Sequence, residues 1–218
     1  MNPLRIIIAD DHVLIRQGVK AVIESQNSWE LCGEADNGRT AIELARMLKP
    51  EIAVLDITMP EMNGLDVTRV LKTASPKTKV LILTMHDSEA LADEVIEAGA
   101  SGYLLKSDAA ELLPRAIETL AAGKTFLTPK ISSNGNAPRK PIGSGPQTET
   151  APRFRLTPRG RQIIQLLAEG KLNKEVAYTL EISIDTVETH RKNILNKLKL
   201  RSAADLVRYA IRNNLIQP

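Results

Sequence analysis

"EIAVLDITMPEMNG", residues 51–64, starts as an apolar run from Ile52 to Leu55 and delivers a carboxylate, Asp56, where a strand should end. A short run that is apolar on both faces marks a strand buried in a parallel sheet. Four further runs share that character: "RIIIAD" (5–10), "WELCGEA" (29–35), "KVLILT" (79–84) and "GYLLK" (102–106). Between and after them the spacing predicts amphipathic helices over Val13–Glu24, Thr40–Leu48, Leu65–Leu71, Glu89–Glu97 and Ala109–Ala122. Asp108, with Glu111 three residues on, is the expected N-cap of the fifth helix, and Gly123 its stop. Five strand–helix units predict an α/β doubly wound, five-stranded parallel sheet covered on both faces.

Ligands bind outside the carboxyl ends of the strands in such a sheet. The first strand ends in Asp10-Asp11, the third in Asp56, the fourth in Thr84 and the fifth in Lys106, so one rim gathers three carboxylates, a hydroxyl and an ammonium. Carboxylates crowded together push protons onto one another unless a cation sits among them. Hard oxygen ligands suit Mg²⁺, which retains waters and accepts phosphate oxygens in their place. Asp56 is therefore placed to act as a nucleophile toward phosphorus. Taken singly, an acid at a strand end is an ordinary solvated turn residue, Lys106 a surface charge and Thr84 a helix cap; only their order on successive strand ends is informative.

The net charge of +3 conceals an asymmetry. Residues 1–128 carry 13 Lys/Arg against 19 Asp/Glu, net −6, whereas residues 152–218 carry 13 against 6, net +7. Opposite charge on the two halves predicts different partners, a polyanion for the second. The segment between them, residues 129–151, is dense in Pro, Gly, Ser, Thr and Asn without periodicity, the composition of a flexible linker. The single cysteine, Cys32, lies in an apolar run and is expected in the core. No run approaches the ~20 apolar residues of a membrane span, and the start "MNPLRIIIADDH" lacks the features of a signal peptide, so a cytoplasmic location is expected.

The second half reads as four helices. Thr157 caps the first, with Pro158 at its first position and Gly170 as its stop; Asn173 starts a short second helix; Ser183 caps a long third, "IDTVETHRKNILNKL"; a last one follows Ser202. A short helix, a tight turn and a longer basic helix make a helix-turn-helix. Val187, Ile194 and Leu198 lie on one face of the long helix and should pack inward, with Leu195 beside them and His190 near that face, while Glu188, Thr189 and Lys192 point out together and can reach a groove. A merely solvated charged face fits any one of them, but fits poorly with a +7 segment that also holds Lys174, Arg191, Lys197, Lys199 and Arg201.

With "ADDH", "LDITMP", "LTMH" and "GASGYLLK" as markers, residues 1–128 resemble the receiver domain of bacterial two-component response regulators, a flavodoxin-like fold. "LTPRGRQIIQLLAEGKLNKEVAYTLEISIDTVETHRKNILNKLKLRSAADLVRYAI" resembles the LuxR-type helix-turn-helix, and together the halves resemble the NarL/FixJ subfamily. The resemblance implies a non-enzymatic transcription factor, at most able to transfer phosphate to and from itself. Asp56 would accept a phosphoryl group from a histidine kinase; Asp10, Asp11, Asp56 and the carbonyl of Thr58 would hold Mg²⁺, Asp10 through water; Lys106, Thr84 and Tyr103 would sense the phosphoryl group. Phosphorylation would promote a homodimer on duplex DNA, contacted by Lys174, Thr186, Glu188, Thr189, Arg191, Lys192, Asn193 and Lys197, with RNA polymerase a further partner and no membrane involved. Ser107 follows Lys106 where many receivers have proline, Gly160 replaces the usual glutamate between two arginines, and Thr58 and His86 would flank the path of hydrolytic water. Two other readings stand beside this one: a HAD-like Mg²⁺-dependent phosphatase, which "DIT" at 56–58 mimics, and a receiver with a protein- or RNA-binding output domain.

Overall fold

The computed structural model describes residues 2–85, 89–128, 156–200, 202–213 and 215–216. The expected linker 129–151, His86 and Arg201 lie outside the described residues.

Strands β1 (Leu4–Ala9), β2 (Trp29–Ala35), β3 (Ile52–Asp56), β4 (Lys79–Thr84), β5 (Gly102–Leu105) and β6 (Phe126–Leu127) form one parallel sheet in the order β2-β1-β3-β4-β5-β6. Helices α1 (Val13–Glu24), α2 (Gly38–Leu48), α3 (Gly64–Ala74), α4 (Glu89–Ala98) and α5 (Ala109–Ala121) cover it. The strands are apolar throughout because each must feed two cores. Ile6, Ile8, Ile52, Val54, Leu81 and Leu83 pack with Val19 and Ile23 of α1 and Leu113 and Ile117 of α5. The alternate residues Ile7, Ala53, Leu55, Val80 and Ile82 pack with Ala41 of α2, Leu71 of α3 and Val95 of α4. This is the period-two alternation of a strand with both faces buried.

The sheet has six strands where the sequence predicted five. β6 is two residues long, too short to display a period, and forms after Gly123 (φ 75°) turns the chain out of α5. Its backbone joins β5 through Phe126 N–H to the Ser101 carbonyl at 3.1 Å and Thr128 N–H to the Tyr103 carbonyl at 3.1 Å. A second correction concerns α5. Asp108 occupies its N-cap position but makes no side-chain cap hydrogen bond, because Lys106–Asp108 form a 3₁₀ turn and the Asp108 carboxylate instead accepts the Ser107 hydroxyl at 2.9 Å. Cys32 is half-buried, its thiol 3.3 Å from the Ile6 carbonyl, and burial pushes its pKa up.

The remaining described residues form α6 (Pro158–Ala168), α7 (Asn173–Leu180), α8 (Ile184–Leu198) and α9 (Ala203–Arg212). The expected caps are present: Thr157, Ser183 and Ser202 accept from the amides of Gly160, Thr186 and Asp205. Ile163, Ile164, Val176, Val187, Ile194, Leu206 and Ala210 make a separate core. Among the described residues no helix is long and apolar enough to cross a membrane.

Candidate functional site

The order β2-β1-β3 places the switch of connection direction between β1 and β3, so the carboxyl ends of these two strands open the crevice where such sheets bind ligands. Asp10 follows β1 and Asp56 ends β3 there. Beside them the Lys106 ammonium, entering from the end of β5, lies 2.7 Å from Asp10 Oδ2 and 3.0 Å from Asp56 Oδ2. Its side chain is only 3% exposed, so the charge is held by these two acids away from water. Asp56 Oδ1 accepts the Ile57 amide at 2.8 Å, and the Thr58 hydroxyl approaches Asp56 Oδ2 at 3.4 Å. Thr84 at the end of β4 and Tyr103 in β5 are both buried. The loop leaving β3 is drawn in tightly: Gly64 N–H donates to the Ile57 carbonyl at 2.8 Å, and a Cβ on Gly64 would overlap the carbonyl oxygen of Asp56. Asn63 caps α3 by accepting the Asp66 amide at 2.9 Å.

Burial pushes the Asp56 carboxyl up to about 6; Lys106 pulls it down and the neighbouring Asp10 charge pushes it up again. Because the folded pKa exceeds the ordinary value of 3.8, this group stabilises the fold fully below about pH 4 and that contribution is lost as pH rises through about 6. At neutral pH the ionised Asp56 is a net cost of up to about 3 kcal/mol in the metal-free protein. Asp56→Asn in chelator is therefore expected to be more stable than the parent by about 1–3 kcal/mol at pH 8, with the difference vanishing below pH 4. Denaturant titrations at the two pH values measure it; an Asp56→Asn protein less stable than the parent at pH 8 contradicts the assigned electrostatics.

Asp10, Asp11, Asp56 and a residue not singled out from sequence, His12, each offer a donor atom within 4.8 Å of the others. Asp10 Oδ2 lies 2.7 Å from the Lys106 ammonium and Asp11 Oδ1 2.8 Å from His12 Nδ1; three clustered carboxylates are the hard oxygen donors that suit a cation. The signal for His12 was in plain view, an imidazole directly after an acidic pair at a strand end.

On α8 the residues expected to face outward do so. Glu188, Thr189, Lys192, Asn193 and Lys197 are exposed, as is Lys174 on α7, while Val187 and Ile194 are buried and His190 is half-buried. Thr186 is exposed, but its hydroxyl lies 2.7 Å from Ser183 Oγ within the helix cap. Arg191 is half-buried and donates to Asn173 Oδ1 at 3.4 Å, while Asn173 Nδ2 donates to Glu188 Oε1 at 3.3 Å. Asn173 thus ties α7 to α8 and partly occupies two of the residues expected at DNA.

The two halves meet at the loop between β3 and α3. Gln165 of α6, fully buried, donates to the Met59 carbonyl at 2.6 Å and to Glu169 Oε1 at 2.9 Å, and Asn63 Nδ2 lies 3.5 Å from Gln165 Oε1. Arg39 donates to the Thr179 carbonyl at 2.6 Å. This contact is made through α6 and the end of α7, and the outer residues of α8 stay exposed.

Comparison with known proteins agrees with both halves. The model of the response regulator receiver domain matches residues 6–118, and that of bacterial regulatory proteins of the luxR family matches residues 155–210. The transcriptional regulatory protein MctR of Rhizobium johnstonii is 35% identical over 213 residues, covering 98% of this chain and 95% of the relative. Among solved structures, RcsB of Salmonella typhimurium is 26% identical with a TM-score of 0.65, over 96% of this chain and 97% of that one. A structure of two RcsB dimers bound to two parallel DNAs matches at 26% identity and a TM-score of 0.58, over 95% and 98%.

Proposed function

The chain belongs to the bacterial response regulators that join a receiver domain to a LuxR-type DNA-binding domain, and from that premise we propose how its own residues carry out transcriptional regulation. Residues 1–128 receive the signal, 129–151 link, and 152–218 bind DNA. An Asp56 carboxylate oxygen attacks the phosphorus of a phosphohistidine on a cognate histidine kinase; the P–N bond breaks, the imidazole leaves, and an acyl phosphate remains on Asp56. The observation that carries this is Lys106, buried and within 3.0 Å of Asp56 Oδ2 and 2.7 Å of Asp10 Oδ2, which supplies positive charge where phosphoryl oxygens arrive. Asp10, Asp11, Asp56 and the Thr58 carbonyl would hold Mg²⁺, which when bound neutralises charge on the phosphoryl oxygens. Thr84, at the end of β4, and Tyr103, in β5, both buried, respond to occupancy of the pocket. The phosphatase reading leaves the helix-turn-helix without a purpose, and any activity of the pocket is confined to adding and removing its own phosphate.

Phosphorylation promotes a homodimer that places two copies of α8 on duplex DNA in the cytoplasm, with RNA polymerase the partner for output. A dimer on DNA is what the related RcsB structure contains. Lys192→Ala is expected to cost affinity, and Glu188→Ala or Thr189→Ala to relax sequence preference by about 1–3 kcal/mol per lost base contact. Lys174→Ala should weaken all sequences alike, as a phosphate contact does, with a shallower salt dependence. Selection of bound sites from random duplexes, followed by quantitative binding, measures both. Unchanged preference in Glu188→Ala and Thr189→Ala together would mean that another face reads the bases.

A further inference from the structure

Lys106 brings its ammonium to within 3.0 Å of Asp56 Oδ2 from the end of β5, a strand of only four residues. That end is held differently on its two sides. Toward β4, Leu105, the residue before Lys106, pairs in register with Thr84. Toward the edge, β6 supplies Phe126 N–H to the Ser101 carbonyl and Thr128 N–H to the Tyr103 carbonyl, each at 3.1 Å, and the strand stops at Leu127. A regular parallel ladder would next offer the Leu105 amide a backbone carbonyl. The Thr128 hydroxyl takes that place: it accepts the Leu105 amide at 3.2 Å and lies 3.3 Å from the Tyr103 carbonyl. Thr128 is fully buried and Leu105 nearly so. A buried amide without an acceptor is costly, so the oxygen of Thr128, and not merely its shape, is what this position needs.

We propose that Thr128 is a positioning residue for phosphoryl acceptance: its hydroxyl fixes the end of β5 so that the Lys106 ammonium stands where the phosphoryl oxygens arrive. Thr128 acts only through Lys106. The contribution of a fixed charge to a transition state depends on its placement, and a small displacement of the backbone that carries it forfeits much of the gain. In sequence Thr128 is also the residue that precedes the proposed linker 129–151, so this hydroxyl stands between the linker and the pocket. The inference rests on the role assigned to Lys106, and the experiment separates the two.

The test is the rate at which full-length protein is phosphorylated by acetyl phosphate with Mg²⁺. Thr128→Val keeps the branched shape without the hydroxyl, Thr128→Ala removes both, and Thr128→Ser keeps the hydroxyl alone. Each is made in the parent and in Lys106→Ala protein, and the latter are measured at high acetyl phosphate. The valine and alanine variants are expected to be phosphorylated about tenfold more slowly than the parent, and the serine variant within about twofold of it. None should slow Lys106→Ala protein further, because two residues that act through one group do not add. Amide hydrogen exchange supplies the accompanying signature. The Leu105 amide should lose protection in Thr128→Val and Thr128→Ala and keep it in Thr128→Ser, while the amides of β1 and β3 exchange as in the parent. A parent rate in Thr128→Val or Thr128→Ala overturns the proposal, as does a serine variant as slow as the valine one. Equal slowing with and without Lys106 also overturns it, since Thr128 would then act by another route. If Lys106→Ala protein is itself phosphorylated at the parent rate, the role of Lys106 falls and the proposal with it; if Lys106→Ala is slow and Thr128→Val is not, only the proposal falls.

Discussion

Asp56→Asn protein incubated with acetyl phosphate and Mg²⁺ is expected to acquire acid-labile phosphate at no more than background, a loss of at least about 10²-fold. Asparagine keeps the shape of the side chain and its acceptor toward the Ile57 amide but removes the nucleophilic oxygen. Lys106→Ala is the complementary test. It leaves Asp10 and Asp56 facing each other without the ammonium now 2.7 and 3.0 Å away, so both acceptance of phosphate and the affinity for a phosphoryl mimic should fall. The two variants differ in one readout. Asp56→Asn abolishes the covalent adduct, whereas Lys106→Ala retains a reactive carboxylate and should regain part of its rate at high phosphodonor concentration. Wild-type levels of acid-labile phosphate in Asp56→Asn would show that another residue is the acceptor.

Phosphorylated full-length protein is expected to bind a pair of half-sites roughly 10²-fold more tightly than isolated residues 152–218. A single small helix-turn-helix presents few base-reading side chains, those proposed here being Glu188, Thr189 and Lys192. Two copies held together gain affinity through effective concentration without a new contact. Fusing residues 152–218 to an unrelated dimerising coiled coil should restore most of the difference at one fixed salt concentration. The exposure of the outer face of α8 argues the same way, since a helix that is not covered has little to gain from release. An isolated fragment that equals or exceeds the phosphorylated protein would make relief of masking the dominant effect.

How much of this was legible in advance follows the range of each interaction. The acidic rim could be read because every member sits at the end of an apolar strand, and the parallel topology brings such ends together without help from side chains. The caps Thr157, Ser183 and Ser202 were equally legible, since each satisfies an amide three residues away. Asp108 failed by the same logic: a local competitor, Ser107, sits within reach and the 3₁₀ turn changes the backbone at the cap. β6 exists only because β5 offers it an edge, so two residues of strand had no signature of their own. The Gln165 contact spans 106 residues, and its only trace was a polar residue inside "IIQLL". Arg191 was expected at DNA from the resemblance, and its half-buried place beside Asn173 depends on how α7 crosses α8.

Gln165 also closes a thermodynamic cycle. Its carboxamide is bonded to the carbonyl of Met59, three residues beyond Asp56 and next to Thr58, so the backbone that shapes the cation pocket is also the seat of α6. Whatever free energy a phosphoryl group or cation adds to or removes from that seat must reappear, with the same magnitude, when the sequence of events is reversed. If operator DNA draws α6 from the loop, it alters the affinity of the pocket for the proposed cation by the factor by which that cation alters the affinity for DNA. A promoter is in this sense an effector of the receiver as well as its target, and Gln165→Leu, which cannot hold the carbonyl, should uncouple the two affinities while leaving each measurable by itself.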